Sequence, residues 1–133
     1  MRKTYHGSCH CGAIHFEADI DIRANTYRCN CSICSRNRFW PAIVAPGAFR
    51  LLSGQSDLTK YLFNTKRHEH YFCKHCGVRP FGIGRTPEGH QIYGVNLGCL
   101  DDVAPKELAE APILYVDGQH DNWSAAPLVT SYL

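Results

Sequence analysis

The feature that most constrains this chain is the placement of its eight cysteines, which fall in tight groups along 133 residues. They read Cys9-His10-Cys11-Gly12, then Cys29-Asn30-Cys31-Ser32-Ile33-Cys34, then Cys73-Lys74-His75-Cys76-Gly77, with Cys99 alone. Two thiolates a residue or two apart suit a zinc knuckle. A tight turn aims both sulfurs at one tetrahedral metal about 2.3 Å away, and a following glycine lets the chain reverse while peptide N–H groups approach the sulfurs. Cys11-Gly12 and Cys76-Gly77 both supply that glycine. Two knuckles joined from distant parts of the chain make a closed site of four thiolates, tying a small domain much as a disulfide would. The spacing therefore predicts a structural zinc at Cys9, Cys11, Cys73 and Cys76.

The central triple, Cys29, Cys31 and Cys34, puts three thiolates in one short stretch able to wrap a single metal. A structural zinc is closed by four protein ligands, whereas a catalytic one keeps an open position for water or substrate. Zinc on three thiolates carries net negative charge, activates water poorly and suits a soft thiolate. An incoming thiol would lose its proton there and stay nucleophilic. The same residues read differently if Cys99 or one of His10, His68, His70 and His75 closes the site. Both zincs are then structural, and the chain is a non-catalytic two-zinc module that binds a partner protein. A redox or disulfide role is the third reading, and spacing leaves all three open.

The remaining composition narrows the setting. Fourteen Lys and Arg against twelve Asp and Glu give a formal charge of +2, which argues against nucleic-acid binding driven by charge. With 44% hydrophobic and 20% charged residues, the chain is globular, and residues 1–133 have the size of a single domain. Met1 to Cys9 lacks the apolar run of a secretory signal, and no stretch approaches the roughly 18 apolar residues of a membrane span. The expectation is a cytoplasmic protein, where thiols stay reduced and clustered cysteines serve as ligands.

Short apolar runs punctuated by turn residues predict strands at 13–18, 39–45 with Pro41 interrupting, 49–52, 58–63, 68–73, 78–83, 91–97 and 113–116. Only two places favour helix, one turn after Cys31 and the stretch 105–110 with Pro105 at its start. The fold class is mainly β.

Four pieces together resemble a known family, the glutathione-dependent formaldehyde-activating enzymes, which includes centromere protein V. They are Gly7-Ser8-Cys9-His10-Cys11-Gly12-Ala13-Ile14-His15-Phe16-Glu17, Cys29 to Cys34, Phe72-Cys73-Lys74-His75-Cys76-Gly77-Val78, and Val95-Asn96-Leu97-Gly98-Cys99-Leu100-Asp101-Asp102. The run from Tyr61 to Cys73 looks closer to the centromere protein V branch. The resemblance implies a zinc-ribbon-like β-tent of small antiparallel sheets with one or two short helices. It implies two zinc ions per chain: a structural one at Cys9, Cys11, Cys73 and Cys76, and a catalytic one taking only Cys29, Cys31 and Cys34 from the protein. The implied activity is that of a carbon–sulfur lyase interconverting glutathione plus formaldehyde with S-hydroxymethylglutathione. The implied partner is a small thiol such as glutathione, with neither nucleic acid nor membrane.

Individual side chains add expectations. His68, His70 and Tyr71 are candidate proton donors to the new hydroxyl. Arg36 and Arg38, just beyond the triple, suit a substrate carboxylate or a solvated surface. Trp123 is expected in the core, and Tyr71-Phe72 under the four-cysteine site.

Overall fold

A computed structural model describes all residues 1–133. Ten strands and two short helices follow in the order β1 (Lys3–Ser8), β2 (His15–Ile20), β3 (Thr26–Cys29), α1 (Ser32–Asn37), β4 (Pro41–Val44), β5 (Phe49–Ser53), β6 (Leu58–Tyr61), β7 (Glu69–Cys73), β8 (Phe81–Arg85), β9 (Gln91–Asn96), α2 (Pro105–Glu110) and β10 (Ile113–Val116). A three-stranded antiparallel sheet has the order β1-β2-β5, and a seven-stranded sheet runs β10-β3-β4-β9-β8-β7-β6. The mainly β expectation holds, with one difference. The β10–β3 pair is parallel, pairing Ile113 with Thr26 and Val116 with Cys29, a geometry that needs a crossover rather than a hairpin. Here the crossover is most of the chain. Strands β1 and β3 were not anticipated, because Lys3–Ser8 and Thr26–Cys29 are mostly polar and form only by pairing with apolar neighbours.

Strand β2 shows how alternation builds the core. Phe16, Ala18 and Ile20 are buried, while His15, Glu17 and Asp19 face outward, as a period of two requires. Its outer face carries an ion-pair cluster in which Arg50 donates to Asp19 at 2.8 Å and to Glu17 at 2.5 Å. Phe49 on β5 then joins the two sheets, stacking on Phe16 at 5.4 Å and meeting Phe81 at 4.5 Å and Tyr93 at 4.9 Å. Pro41 is tolerated because it opens strand β4, where its missing N–H costs no interior ladder bond. Short helix α2 begins at Pro105, and Glu107 reaches back to accept from the Ala104 N–H at 2.8 Å. No helix is long and apolar enough to cross a membrane.

Candidate metal centres

The two knuckles are built alike. In the first, the Gly12 N–H donates to the Cys9 carbonyl at 3.2 Å, and the Ile14 N–H reaches Cys9 Sγ at 3.3 Å. In the second, the Gly77 N–H donates to the Cys73 carbonyl at 2.8 Å, and the His75 N–H reaches Cys73 Sγ at 3.4 Å. Gly12 at φ 83° and Gly77 at φ 77° occupy the left-handed region, where a side chain is strained. Strand β7 ends at Cys73 and delivers the second knuckle to the first. The sulfurs of Cys9, Cys11, Cys73 and Cys76 all lie within 4.8 Å of one another. Four sulfurs each about 2.3 Å from a tetrahedral metal stand about 3.8 Å apart, and the spacings are 3.7 Å for Cys9–Cys11 and 3.6 Å for Cys11–Cys73. This donor set fits zinc. Ile14, Cys9 and Cys73 are buried together with Leu51, Leu58 and Val78 around them, which limits solvent. Tyr71 is not part of that shell. It stacks on Phe81 at 5.1 Å in the main core, because β7 alternation sends it to the face opposite His70 and Phe72.

The triple is local. Cys29 closes β3, Cys31 caps α1, and Cys34 lies within that helix, so one reversal of the chain gathers three sulfurs within 4.8 Å. The Cys31 N–H lies 3.4 Å from Cys29 Sγ. Hydrogen bonds from the Cys29 and Cys34 thiols hold Cys31 far below the usual thiol range, helped by the N–H groups of Cys34 and Ile33. Cys34 is pushed the other way, first by Cys29 and Cys31 and then by burial. The cluster thus sheds one proton readily and resists losing the next, a restriction that a divalent cation among the sulfurs removes. Three thiolates and a borderline-soft metal are chemically matched.

Neither Cys99 nor any histidine joins this group. Cys99 is buried in the main core with its thiol 3.8 Å from the Arg79 carbonyl, and burial pushes it up to about 12. His75 pairs with Asp57 at 2.7 Å. His68 is exposed, beside Gly84.

A cleft of about 340 Å³ opens between α1 and strands β6 and β7, lined by Ile33, Arg36, Asn37, Tyr61, His70 and Arg79 among others. Arg79 was not anticipated. Its guanidinium lies 3.8 Å from the Phe39 ring centre, beside Cys34, with Nε and Nη1 buried and unpartnered. The signal available was a single arginine inside the apolar run Val78–Ile83. Arg79 Nη2 donates to His70 Nδ1 at 2.9 Å, and since a guanidinium cannot accept, the neutral imidazole carries its proton on Nε2. Burial, then Arg79 and His68, lower His70 to about 4. Of the three donor candidates, Tyr71 is turned away and gives its hydroxyl to Glu69 at 2.5 Å. Arg36 returns to the Ser32 carbonyl at 2.9 Å and Arg38 donates to the Tyr132 carbonyl at 2.7 Å. Trp123, expected in the core, is instead 53% exposed, its indole N–H satisfied by Asp121 at 2.8 Å.

Fold and sites together define a mainly β protein with two cysteine clusters able to hold metal ions. The description of the glutathione-dependent formaldehyde-activating enzyme family matches residues 4–117. A crystal structure of a Rhodobacter sphaeroides protein, solved as a structural-genomics target, is similar at 34% identity and a TM-score of 0.70, covering 82% of this chain and 99% of that one. The chain belongs to the glutathione-dependent formaldehyde-activating enzyme family.

Proposed function

We propose that the chain, acting as one unit over residues 1–133, catalyses reversible addition of a small thiol, of the glutathione class, to a small aldehyde such as formaldehyde, a carbon–sulfur lyase reaction in reverse. The observation that carries this reading is the three-sulfur group of Cys29, Cys31 and Cys34, with no fourth protein ligand in reach and a cleft beside it. Cys9, Cys11, Cys73 and Cys76 hold the structural zinc in this reading, and the triple holds the second ion. When bound there, zinc keeps an incoming thiol deprotonated and nucleophilic at neutral pH.

The chain's own groups do the rest. Cys29, Cys31 and Cys34 offer a soft, anionic donor set, with Ile33 and Arg79 beside Cys34 lining the cleft. In the addition, the thiol loses its proton, sulfur bonds to the carbonyl carbon, and the carbonyl oxygen gains a proton as its π bond opens. The proton that the oxygen gains is the one that the thiol releases, passed through solvent, and His70 lines the cleft with its neutral Nε2–H, the ring held at Nδ1 by Arg79. It is the hydrogen-bond donor assigned to that oxygen as negative charge develops there. Exchange spectroscopy of glutathione with formaldehyde tests the reading. The zinc-loaded protein is expected to accelerate interconversion, and Cys34→Ser to abolish the acceleration. No acceleration by the wild-type protein overturns glutathione–formaldehyde chemistry as its activity.

A further inference from the structure

Residues 118–133 follow the stretch that the family description matches, yet they are built against the triple. Asn30, between two of the three cysteines, is gripped from this side: its Nδ2 donates to Asp117 at 2.9 Å, and its Oδ1 accepts from the Gln119 N–H at 2.9 Å. A Cβ added at Gly118 would lie 2.5 Å from Cys29 Sγ and 2.7 Å from the Trp123 ring, so bare main chain lies against the sulfur with the indole behind it. Asp117 fastens the turn again by accepting from the His120 N–H at 3.2 Å through its carbonyl. Farther on, the bond from Arg38 to the Tyr132 carbonyl pins the strap to the end of α1.

The two flanks of the triple differ accordingly. On the strap side, Leu133 closes on Arg28, Cys29, Cys34 and Phe39, leaving about 10 Å³, which is room for one water. The larger cleft of about 340 Å³ is lined by Ile33 and Arg79, the first a chain neighbour of Cys34 and the second beside it.

We propose that residues 118–133 are a specificity-determining wall: they seal the Leu133 flank of the triple, so that a thiol reaches Cys29, Cys31 and Cys34 through the cleft between α1 and β7. This rests on the reading of the triple as the reaction centre. It selects thiols by shape, since a substrate must thread past Arg36, Tyr61 and His70 and has no space to extend beyond the sulfurs. It also assigns Leu133, Gly118 and Arg38 to the wall.

Cysteine-resolved alkylation of the zinc-loaded chain of residues 1–133 tests it, using N-ethylmaleimide and the bulkier fluorescein maleimide, with peptide mass spectrometry as the readout. In the wild type, the small reagent is expected to outpace the bulky one at Cys29 and Cys34 by about tenfold more than at exposed Cys11, because thiol reactivity follows access. The double variant Arg38→Ala/Leu133→Ala removes the pin and the plug, and is expected to bring that size ratio down to the Cys11 value. Trp123→Ala, which leaves both in place, is expected to lower it partway at Cys29 alone. A size ratio unchanged in both variants overturns the wall. Zinc is counted in the same samples. A wild-type chain holding only the metal of the four-cysteine site would sink the reaction-centre reading, while the size ratio judges the wall separately.

Discussion

The two cysteine clusters offer the same ligand atom from opposite arrangements of the chain. Cys11 and Cys73 are 62 residues apart, and their sulfurs meet at 3.6 Å where β7 ends beside the first knuckle. A metal there closes a long loop and joins the hairpin ends of both sheets. The triple spans six residues and sits where β3 runs into α1, so its geometry is largely set by local backbone. The first cluster is walled by Ile14, Leu51, Leu58 and Val78; the second is flanked by a cleft and two arginines with unpartnered N–H groups. Separation in sequence therefore sets how much a metal at each cluster would add to folding, since only the distant ligands lose large chain freedom on meeting.

The sharpest way to break this contrast is to remove one ligand from each cluster. Cys76→Ser is expected to destabilise the fold by about 5 kcal/mol or more, because structural zinc supplies folding free energy directly. Loss of the cooperative thermal transition and of dispersed amide NMR signals would register it. Cys34→Ser is expected to cost no more than about 2 kcal/mol, the range of ordinary single substitutions, while the metal content falls by one equivalent. Equal unfolding by the two changes would dissolve the distinction. A chelator titration should show the same order, with the triple emptied first while the far-ultraviolet circular dichroism stays unchanged.

A smaller effect tests the strand that serves both clusters. His70 is buried on β7 and its folded value is lowered from 6.5 to about 4. Its contribution is complete above the unfolded value and is lost as pH falls from near 6.5 through about 4, because the unfolded chain takes the proton and the folded one resists it. After solvent screening this amounts to about 1–2 kcal/mol. Urea unfolding of wild type and His70→Gln across that window should show a shallower acid slope in the variant. The smallest effect is expected from Asp57→Ala, which removes the exposed partner of His75 beside the second knuckle. A change of about 0.5 kcal/mol in urea unfolding would agree with a surface pair; a loss approaching that of Cys76→Ser would show that the pair, not the metal, holds the knuckle.

Much of this was legible in the residues. Cys-Gly pairs marked both knuckles, because the left-handed turn after the second thiolate admits glycine readily, and alternation in His15–Ile20 marked the strand that buries Phe16. The triple was legible as a set but not as open or closed. That depended on where Cys99 packs, and Cys99 belongs to a core assembled from strands far apart in sequence. Arg79 escaped notice for a similar reason: its role comes from Phe39, His70 and Cys34, none of them its chain neighbours. Trp123 misled because indoles favour interiors, whereas this one leans on Gly118 at the surface.

The parallel pairing of β10 with β3 bears on the order of assembly. Cys29 lies on β3, whose Val116 partner is translated long after it, so the strand waits with one edge unpaired while the rest of the sheet forms. Contacts this distant in sequence form slowly, and an unpaired edge invites association with another chain. The four-cysteine site can load once Cys76 has emerged, but the triple acquires its finished neighbourhood only when residues 113–116 dock. A nascent chain is thus first able to tie its two knuckles together and completes the surroundings of Cys29, Cys31 and Cys34 last.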